Sequence, residues 1–281
     1  MKISNPTRRK EKLRCPKRYY FRYFHKPISP DDIAEHSRRR QLYGIRELAG
    51  HLVHRTLSDM TTTLADGSRW DYDLGGRQCR NQFTLTVAKS LALESGQWGD
   101  GLQVAETFNG QTGSQIKDEV NYWKDIIPTL IENGFRAAHS LHIGHATSER
   151  SIESEKRLVW SRPSGPIAYV ADVLIRCKIR TEVWDFKSHS IDNQDIAQIR
   201  SYLELLHRQE GICPTRLHGI AVDLRRGEIV PVDYDPYKPR KNPIVRLPPA
   251  RVSAREQHPA KPHPDLCVRC PYATICPSAE M

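Results

Sequence analysis

Four of the seven cysteines are grouped toward the two ends of the 281-residue chain. Cys15 lies near one end, and Cys267, Cys270 and Cys276 form a Cys-x2-Cys-x5-Cys series near the other. Thiolates grouped in this way can bind one soft metal centre, and ligands from both ends would close the chain into a ring. A zinc site usually has two Cys-x2-Cys pairs, so one pair with two isolated cysteines favours an iron–sulfur cluster. Zinc, disulfides and unliganded thiols are the alternatives.

A second group of residues has the side chains needed to bind a hard metal ion. Asp185-Phe186-Lys187 is the only Asp/Glu-x-Lys triplet in the sequence. On a strand, Asp185 and Lys187 would point to one face, and Asp172 on the preceding antiparallel strand would bring a second carboxylate alongside. Adjacent carboxylates repel unless a divalent cation joins them, and their oxygens favour Mg²⁺ or Mn²⁺. Glu182 is excluded because, three positions before Asp185, it faces the other side of the strand.

Two further motifs accompany the triplet. The segment from Asn193 has helical periodicity, and Gln198 and Tyr202, four residues apart, lie on one face of this helix. Upstream, Gly50 and His54 form a Gly-x3-His series within another helical pattern. Alone, such a histidine is usually an ordinary core or surface residue.

These motifs, in this order, resemble those of the RecB- and AddB-type iron–sulfur nucleases of the PD-(D/E)XK superfamily, and most closely the CRISPR-associated RecB-like exonucleases. The resemblance implies a [4Fe–4S] cluster on the four grouped cysteines. It implies that Mg²⁺ or Mn²⁺ is bound by His54, Asp172 and Asp185. It also implies that Lys187 orients or activates the attacking water or stabilises charge in the transition state.

The resemblance extends to residues around the metal site. It implies that Gln198 and Tyr202 contact the DNA strand, and that His51 is a helper or a surface residue. In the family a glutamate often precedes the first catalytic aspartate, and Glu153 or Glu155 would fill that place.

The implied activity is metal-dependent hydrolysis of DNA phosphodiesters. Members of the family typically act as exonucleases on single-stranded ends, in recombination, repair or CRISPR spacer acquisition. The resemblance also implies a helicase or integrase partner. The alternative is a catalytically silent DNA-binding scaffold in a helicase, nuclease or integrase complex. A binding module has no need to hold two carboxylates against a phosphate, so the complete acidic set favours the enzyme.

Composition agrees with a DNA partner. The 43 lysines and arginines exceed the 33 acidic residues and give a formal charge of +10, which suits a polyanion. The basic, aromatic segment 1–26 would bind strand phosphates or pack near the cluster, and the basic, proline-rich segment 235–264 would be a linker or line a DNA path. No stretch approaches the roughly 20 apolar residues that a membrane span requires.

The cysteine count and the start of the chain suggest a compartment. An odd number of cysteines and the lack of an N-terminal apolar run predict a cytoplasmic protein in a reducing environment. Cys79, Cys177 and Cys213 fall outside the grouped pattern and are expected to be ordinary thiols.

Periodicity predicts the elements that position these residues. Helices are expected at 31–60, 83–95, 115–133 and 193–207, with a loop at 66–82. Strands are expected at 152–160, 167–175, 181–187, 217–224 and 228–234, with a turn at 161–165.

The predicted architecture is α/β, with a restriction-endonuclease-like core whose mixed central sheet is flanked by helices. We expect one PD-(D/E)XK nuclease domain over residues 1–281. Its parts are an iron–sulfur clasp at 1–30 and 265–281, a helical insertion at 60–150, a catalytic sheet and helix at 150–234, and a proline-rich strap at 235–264.

Overall fold

The computed structural model describes residues 14–23, 25, 29–140, 150–160, 167–236 and 260–279. These residues belong to two compact units. The first, called the sheet unit, takes Val53–Cys79 and the described residues between 126 and 236. The second, called the cysteine unit, takes the described residues between 14 and 52, Arg80–Asp125 and residues 260–279.

The described residues form eight α-helices and seven strands, numbered in chain order. The helices are α1 Pro16–Tyr23, α2 Pro30–Arg39, α3 Ile45–Ala65, α4 Tyr72–Leu91, α5 Ala105–Phe108, α6 Gly113–Ser140, α7 Asn193–Glu210 and α8 Pro264–Cys267. The strands are β1 Leu42–Tyr43, β2 Gln103–Val104, β3 Arg150–Trp160, β4 Ile167–Cys177, β5 Thr181–Lys187, β6 Leu217–Asp223 and β7 Glu228–Val232.

The sheet unit contains a mixed five-stranded sheet in the order β3-β4-β5-β6-β7. Strands β3, β4 and β5 form an antiparallel meander, β6 lies parallel to β5, and β7 is antiparallel to β6. All seven residues of β5 are buried, as expected for a central strand. The fold is therefore mixed α/β with a mixed central sheet flanked by helices, as predicted.

Helix α7 connects the parallel strands β5 and β6 and packs on the sheet. Its buried face includes Ile199 and Leu203, which join the core formed with β4, β5 and β6. Gly219 on β6 allows close approach, because a Cβ there would lie 2.5 Å from Ile199 Cγ2. The helix begins with a capping box between Asp192 and Asp195.

The predicted loop at 66–82 is wrong from residue 72 onward, because α4 begins at Tyr72. Asp71 caps this helix by accepting the Leu74 N–H at 3.0 Å. Gly75 and Gly76 suggest a break in the sequence, but they allow close packing instead. A Cβ on Gly76 would lie 3.3 Å from the Pro128 backbone.

The single helix predicted at 31–60 is also wrong, because the chain is extended between α2 and α3. Strand β1 pairs in parallel with β2, and the Gln103 N–H donates to the Gln41 carbonyl at 3.1 Å. Helix α3 then begins at Ile45, whose N–H is accepted by the buried Glu106 carboxylate. A long-range cap of this kind has no local sequence signal.

The meander, the helix from Asn193 and the hairpin after it are confirmed, with ends that differ by a few residues. The predicted turn at 161–165 lies outside the described residues, as does the strap from residue 237 to 259. Helix 83–95 corresponds to the second half of α4, and helix 115–133 to the middle of α6. Among the described residues, no helix is both long and apolar enough to cross a membrane.

Candidate functional site

The site is built where strands β4 and β5 separate. Their ladder ends at Val173 and Trp184, so the next pair in this register is Asp172 and Asp185. There the Asp172 side chain replaces a backbone partner, since its Oδ2 accepts the Phe186 N–H at 2.6 Å. The two carboxylates are thereby brought to neighbouring positions on adjacent strands, as the sequence predicted.

Asp185 and Lys187 share one face of β5. The Lys187 ammonium forms an ion pair with Asp185 Oδ2, and the two side chains are only 10% and 3% exposed. Apart from the Lys187 ammonium, Asp185 Oδ2 has no polar partner among the described residues. Glu182 lies with Trp184, whose indole N–H donates to it at 2.9 Å. This contact is consistent with the exclusion of Glu182 as a ligand.

Helix α3 contributes His54 to the same group. Its Nδ1 lies 3.3 Å from Asp172 Oδ1. One turn later, Ser58 is hydrogen-bonded to Ser154 of β3 at 2.8 Å, which fixes this face of the helix against the sheet. His51 belongs to the cysteine unit, where its ring stacks on Tyr43.

The charges of these residues are strongly coupled. Burial raises the pKa of Asp185 to about 6, against the opposing effect of the Lys187 ammonium. Burial would also raise the pKa of Asp172, but the nearby His54 and Lys187 hold it below its usual value. Burial would lower the pKa of His54, yet Asp172 raises it, and Asp185 likewise raises the pKa of Lys187. The site therefore holds closely spaced charges whose protonation a cation would change.

Gln198 and Tyr202 occupy one face of α7. The Gln198 amide donates to Asp185 Oδ1 at 3.4 Å and also contacts the Tyr202 hydroxyl. Tyr202 is 1% exposed, and its hydroxyl donates to the Val170 carbonyl at 3.0 Å. In this arrangement Gln198 forms a hydrogen bond directly with Asp185. Tyr202 lies in the core and holds Gln198 in place. Their contact with DNA stays a prediction.

Two residues that the sequence did not single out complete the surroundings of Lys187. Asp195 is fully buried, and its Oδ1 lies 3.6 Å from the Lys187 ammonium. Its Oδ2 lies 3.2 Å from His189 Nε2 and accepts the Asp192 N–H at 3.1 Å. The available sequence signal was the capping box, which by itself indicates only the start of a helix.

Glu155 is a third carboxylate near the acidic pair. Its position in the β3–β4 register is opposite Asp172, and the pairing is interrupted there. Glu155 is the only non-glycine residue with positive φ, 49°, among those that the structure describes. Burial raises its pKa, and the Asp172 carboxylate raises it further. Of the two glutamates considered, Glu155 thus interacts with the site, whereas Glu153 forms ion pairs with Lys156 and Arg176.

Neither predicted metal site has its ligand side chains already arranged around a common point in the described part of the chain. In the part of the chain that the structure describes, no three His, Cys, Asp or Glu side chains are arranged as a metal-binding group. The donor set nevertheless fits a hard divalent cation. Two neighbouring carboxylates lie beside an imidazole, and the buried Asp185 Oδ2 has the Lys187 ammonium as its one polar partner among the described residues.

The predicted cluster ligands lie in the cysteine unit, and all seven cysteines are free thiols. Burial raises the pKa of Cys270 to about 11, and the nearby Cys15 and Cys276 thiols add to this rise. The Arg18 N–H donates to Cys15 Sγ at 3.5 Å, a kind of bond that tunes cluster sulfurs. Cys267 and Cys270 lie in one turn, closed by a hydrogen bond from the Cys270 N–H to the Cys267 carbonyl. Thiolates are the ligands that a soft metal centre prefers, so the chemistry of these four side chains suits one.

The C-terminal cysteine segment is held by polar contacts from elsewhere in its unit. The Asn109 amide donates to the carbonyls of Val268 and Cys270 at 2.8 and 3.0 Å. Arg39 donates to the Pro271 carbonyl at 2.8 Å. Tyr272, between two of the cysteines, is 1% exposed and stacks on Phe21. The segment is therefore positioned by many contacts besides its thiols.

Comparison of the sequence with models of protein families and with curated proteins finds no match. The assignment of a function thus depends on the residues and contacts described above.

Proposed function

We propose that this protein is a metal-dependent deoxyribonuclease of the PD-(D/E)XK class, with a restriction-endonuclease-like core and an iron–sulfur clasp in its cysteine unit. The observation that carries the proposal is the ion pair of Lys187 with Asp185 beside Asp172 and His54. These residues come from three different elements, so their convergence does not follow from sequence proximity. A DNA-binding scaffold without catalytic activity would not require a buried Lys187–Asp185 ion pair beside a second carboxylate and an imidazole.

The chain's own residues have distinct parts in the proposed hydrolysis. His54, Asp172 and Asp185 would hold Mg²⁺ or Mn²⁺. When bound, such an ion polarises the phosphodiester and lowers the pKa of a water molecule. The Lys187 ammonium then stabilises the charge that develops on the phosphate oxygens, while Gln198 fixes Asp185 through its amide.

The proposed substrate is the end of a single DNA strand, and the proposed settings are recombination, repair or CRISPR spacer acquisition. A helicase or integrase is the proposed partner. Support comes from the family resemblance of the motifs and from the formal charge of +10. The cofactors that belong to this proposal are a [4Fe–4S] cluster on Cys15, Cys267, Cys270 and Cys276 and one divalent ion at the acidic pair.

The test is cleavage of end-labelled single-stranded DNA in Mn²⁺ by the cluster-loaded protein. We expect Lys187→Ala to lower the cleavage rate by a factor on the order of 10³ while DNA binding is retained. Lys178→Ala, at an exposed position between β4 and β5, is the matched control and should cleave normally. A circular strand of the same sequence distinguishes cleavage from ends from internal cleavage. No cleavage by the loaded wild type would favour the scaffold.

A further inference from the structure

The Lys187 ammonium lies among three oxygen acceptors. It forms an ion pair with Asp185 Oδ2, donates to Gln198 Oε1 at 3.5 Å and lies 3.6 Å from Asp195 Oδ1. Only the first of these acceptors belongs to the set that would bind a divalent cation. The ammonium therefore occupies an oxygen that the proposed metal ion needs.

This competition rests on the proposed function and has a physical consequence. Two cations cannot share one carboxylate oxygen without repulsion, because the surroundings are buried and screening by water is weak. Lys187 must move away from Asp185 Oδ2 when a metal ion binds there. A buried ammonium that leaves one carboxylate requires another partner, since an unpaired buried charge is very costly.

We propose that Asp195 is a positioning residue that receives the Lys187 ammonium when Asp185 binds the divalent cation. Asp195 has no exposed surface, so its carboxylate is not satisfied by bulk water. Its Oδ2 contacts His189 and accepts the Asp192 N–H, and its Oδ1 lies 3.6 Å from the Lys187 ammonium. The ammonium needs to shift only slightly to exchange one carboxylate for the other.

The charges of the site agree with this exchange. The carboxylates of Asp185, Asp172 and Asp195 all act electrostatically on the Lys187 ammonium. A divalent cation bound by Asp172 and Asp185 would offset the charges of those two carboxylates. With the metal ion on Asp172 and Asp185, the ammonium and Asp195 form the remaining pair.

The experiment is calorimetric titration of the full-length protein with Mn²⁺ alone, in the absence of DNA. We expect Asp195→Asn to weaken Mn²⁺ binding about 10- to 100-fold, because the ammonium then stays on Asp185. Asp192→Ala is the matched control. It removes the other half of the same capping box but leaves Asp195 beside Lys187, and it should change the affinity by no more than about twofold.

Lys187→Met separates a positioning role from a simple effect of charge. Without the ammonium there is no competitor, so this variant should bind Mn²⁺ at least as tightly as the wild type, and adding Asp195→Asn should cause no further loss. Weaker binding by Lys187→Met, or an equal loss from Asp195→Asn in both backgrounds, would overturn the inference. If Asp195→Asn bound Mn²⁺ as tightly as the wild type, the proposed role of Asp195 would be overturned, but the nuclease proposal would not. A wild type that binds no Mn²⁺ would overturn both.

Discussion

His54 Nδ1 faces Asp172 Oδ1 at 3.3 Å and so joins helix α3 to strand β4 across 118 residues of sequence. The other oxygen of Asp172 accepts the Phe186 N–H. The imidazole and the Asp172 carboxylate, both proposed metal ligands, are therefore in direct contact. This relationship makes His54 a residue whose function can be tested separately from the strand carboxylates.

Replacement of His54 should weaken metal binding without unfolding the chain. We expect His54→Gln to lower Mn²⁺ affinity about 10- to 100-fold, because it removes one of the three proposed metal ligands. The side chain is 31% exposed, so little packing is lost. His51→Gln, one helical turn earlier, is the control and should leave Mn²⁺ affinity within about twofold of the wild type. Equal losses in both variants would contradict a specific role for His54.

Metal binding should depend on pH through Asp185 and His54. Burial raises the pKa of Asp185 to about 6, so a proton competes with the cation below that pH. Asp172 raises the pKa of His54 above 6.5, despite the opposing effect of burial, so a second proton must leave before the ring can bind a metal ion. Mn²⁺ affinity should rise with pH through this range, by about tenfold per unit for each proton displaced.

Titration of Mn²⁺ binding at several pH values gives the slope. In Asp185→Asn the affinity is expected to be lower at every pH, and the part of the slope below about pH 6 should disappear. A wild-type Mn²⁺ affinity that does not change as pH rises through about 6 and above would contradict the assignment of Asp185 and His54 as ligands.

The central part of the site could be predicted because it is local. Asp185 and Lys187 share a face through the two-residue period of a strand, and Gln198 and Tyr202 share one through the helical period. His54 depends on tertiary packing, including the Ser58–Ser154 hydrogen bond, and only the family resemblance indicated it.

The residues that were missed depend on the return of the chain between β5 and α7. Asp195 meets Lys187 because this short connection turns back onto the strand end. The fold was predicted best where strand periodicity is strong and less well where packing overrides propensity. Gly75 and Gly76 suggest a loop, yet they lie in α4, where the lack of side chains permits close contact.

Loss of a single cluster cysteine should be visible without any activity assay. We expect the purified wild type to be brown, with absorption near about 400 nm, and Cys15→Ser to lose this absorption, because its thiolate is one of the four predicted ligands. Cys213→Ser is the control, since Cys213 is exposed and lies outside the grouped cysteines. A colourless wild type that contains zinc would contradict the iron–sulfur assignment. Retention of colour in Cys15→Ser would contradict the role of Cys15.

Glu106 should make the stability of the cysteine unit depend on pH. Its side chain is 1% exposed, and burial raises its pKa from 4.5 to about 7, while the N–H of Ile45 opposes the rise. In the unfolded chain the carboxyl ionises near 4.5, so the folded state holds the proton more tightly. The stabilisation is therefore complete below this value and is lost as pH rises toward about 7.

A neutral side chain at this position should remove that dependence. We expect Glu106→Gln to flatten the fall in the free energy of unfolding between about pH 5 and pH 7, a fall of about 3 kcal/mol for a shift of this size. The glutamine oxygen can still accept the Ile45 N–H and cap α3. Glu119→Gln is the matched control, because it removes the other carboxylate that Arg269 contacts but leaves Glu106 buried. Urea unfolding at several pH values measures the difference, and identical slopes in wild type and Glu106→Gln would show that Glu106 is ionised at little cost in the folded protein.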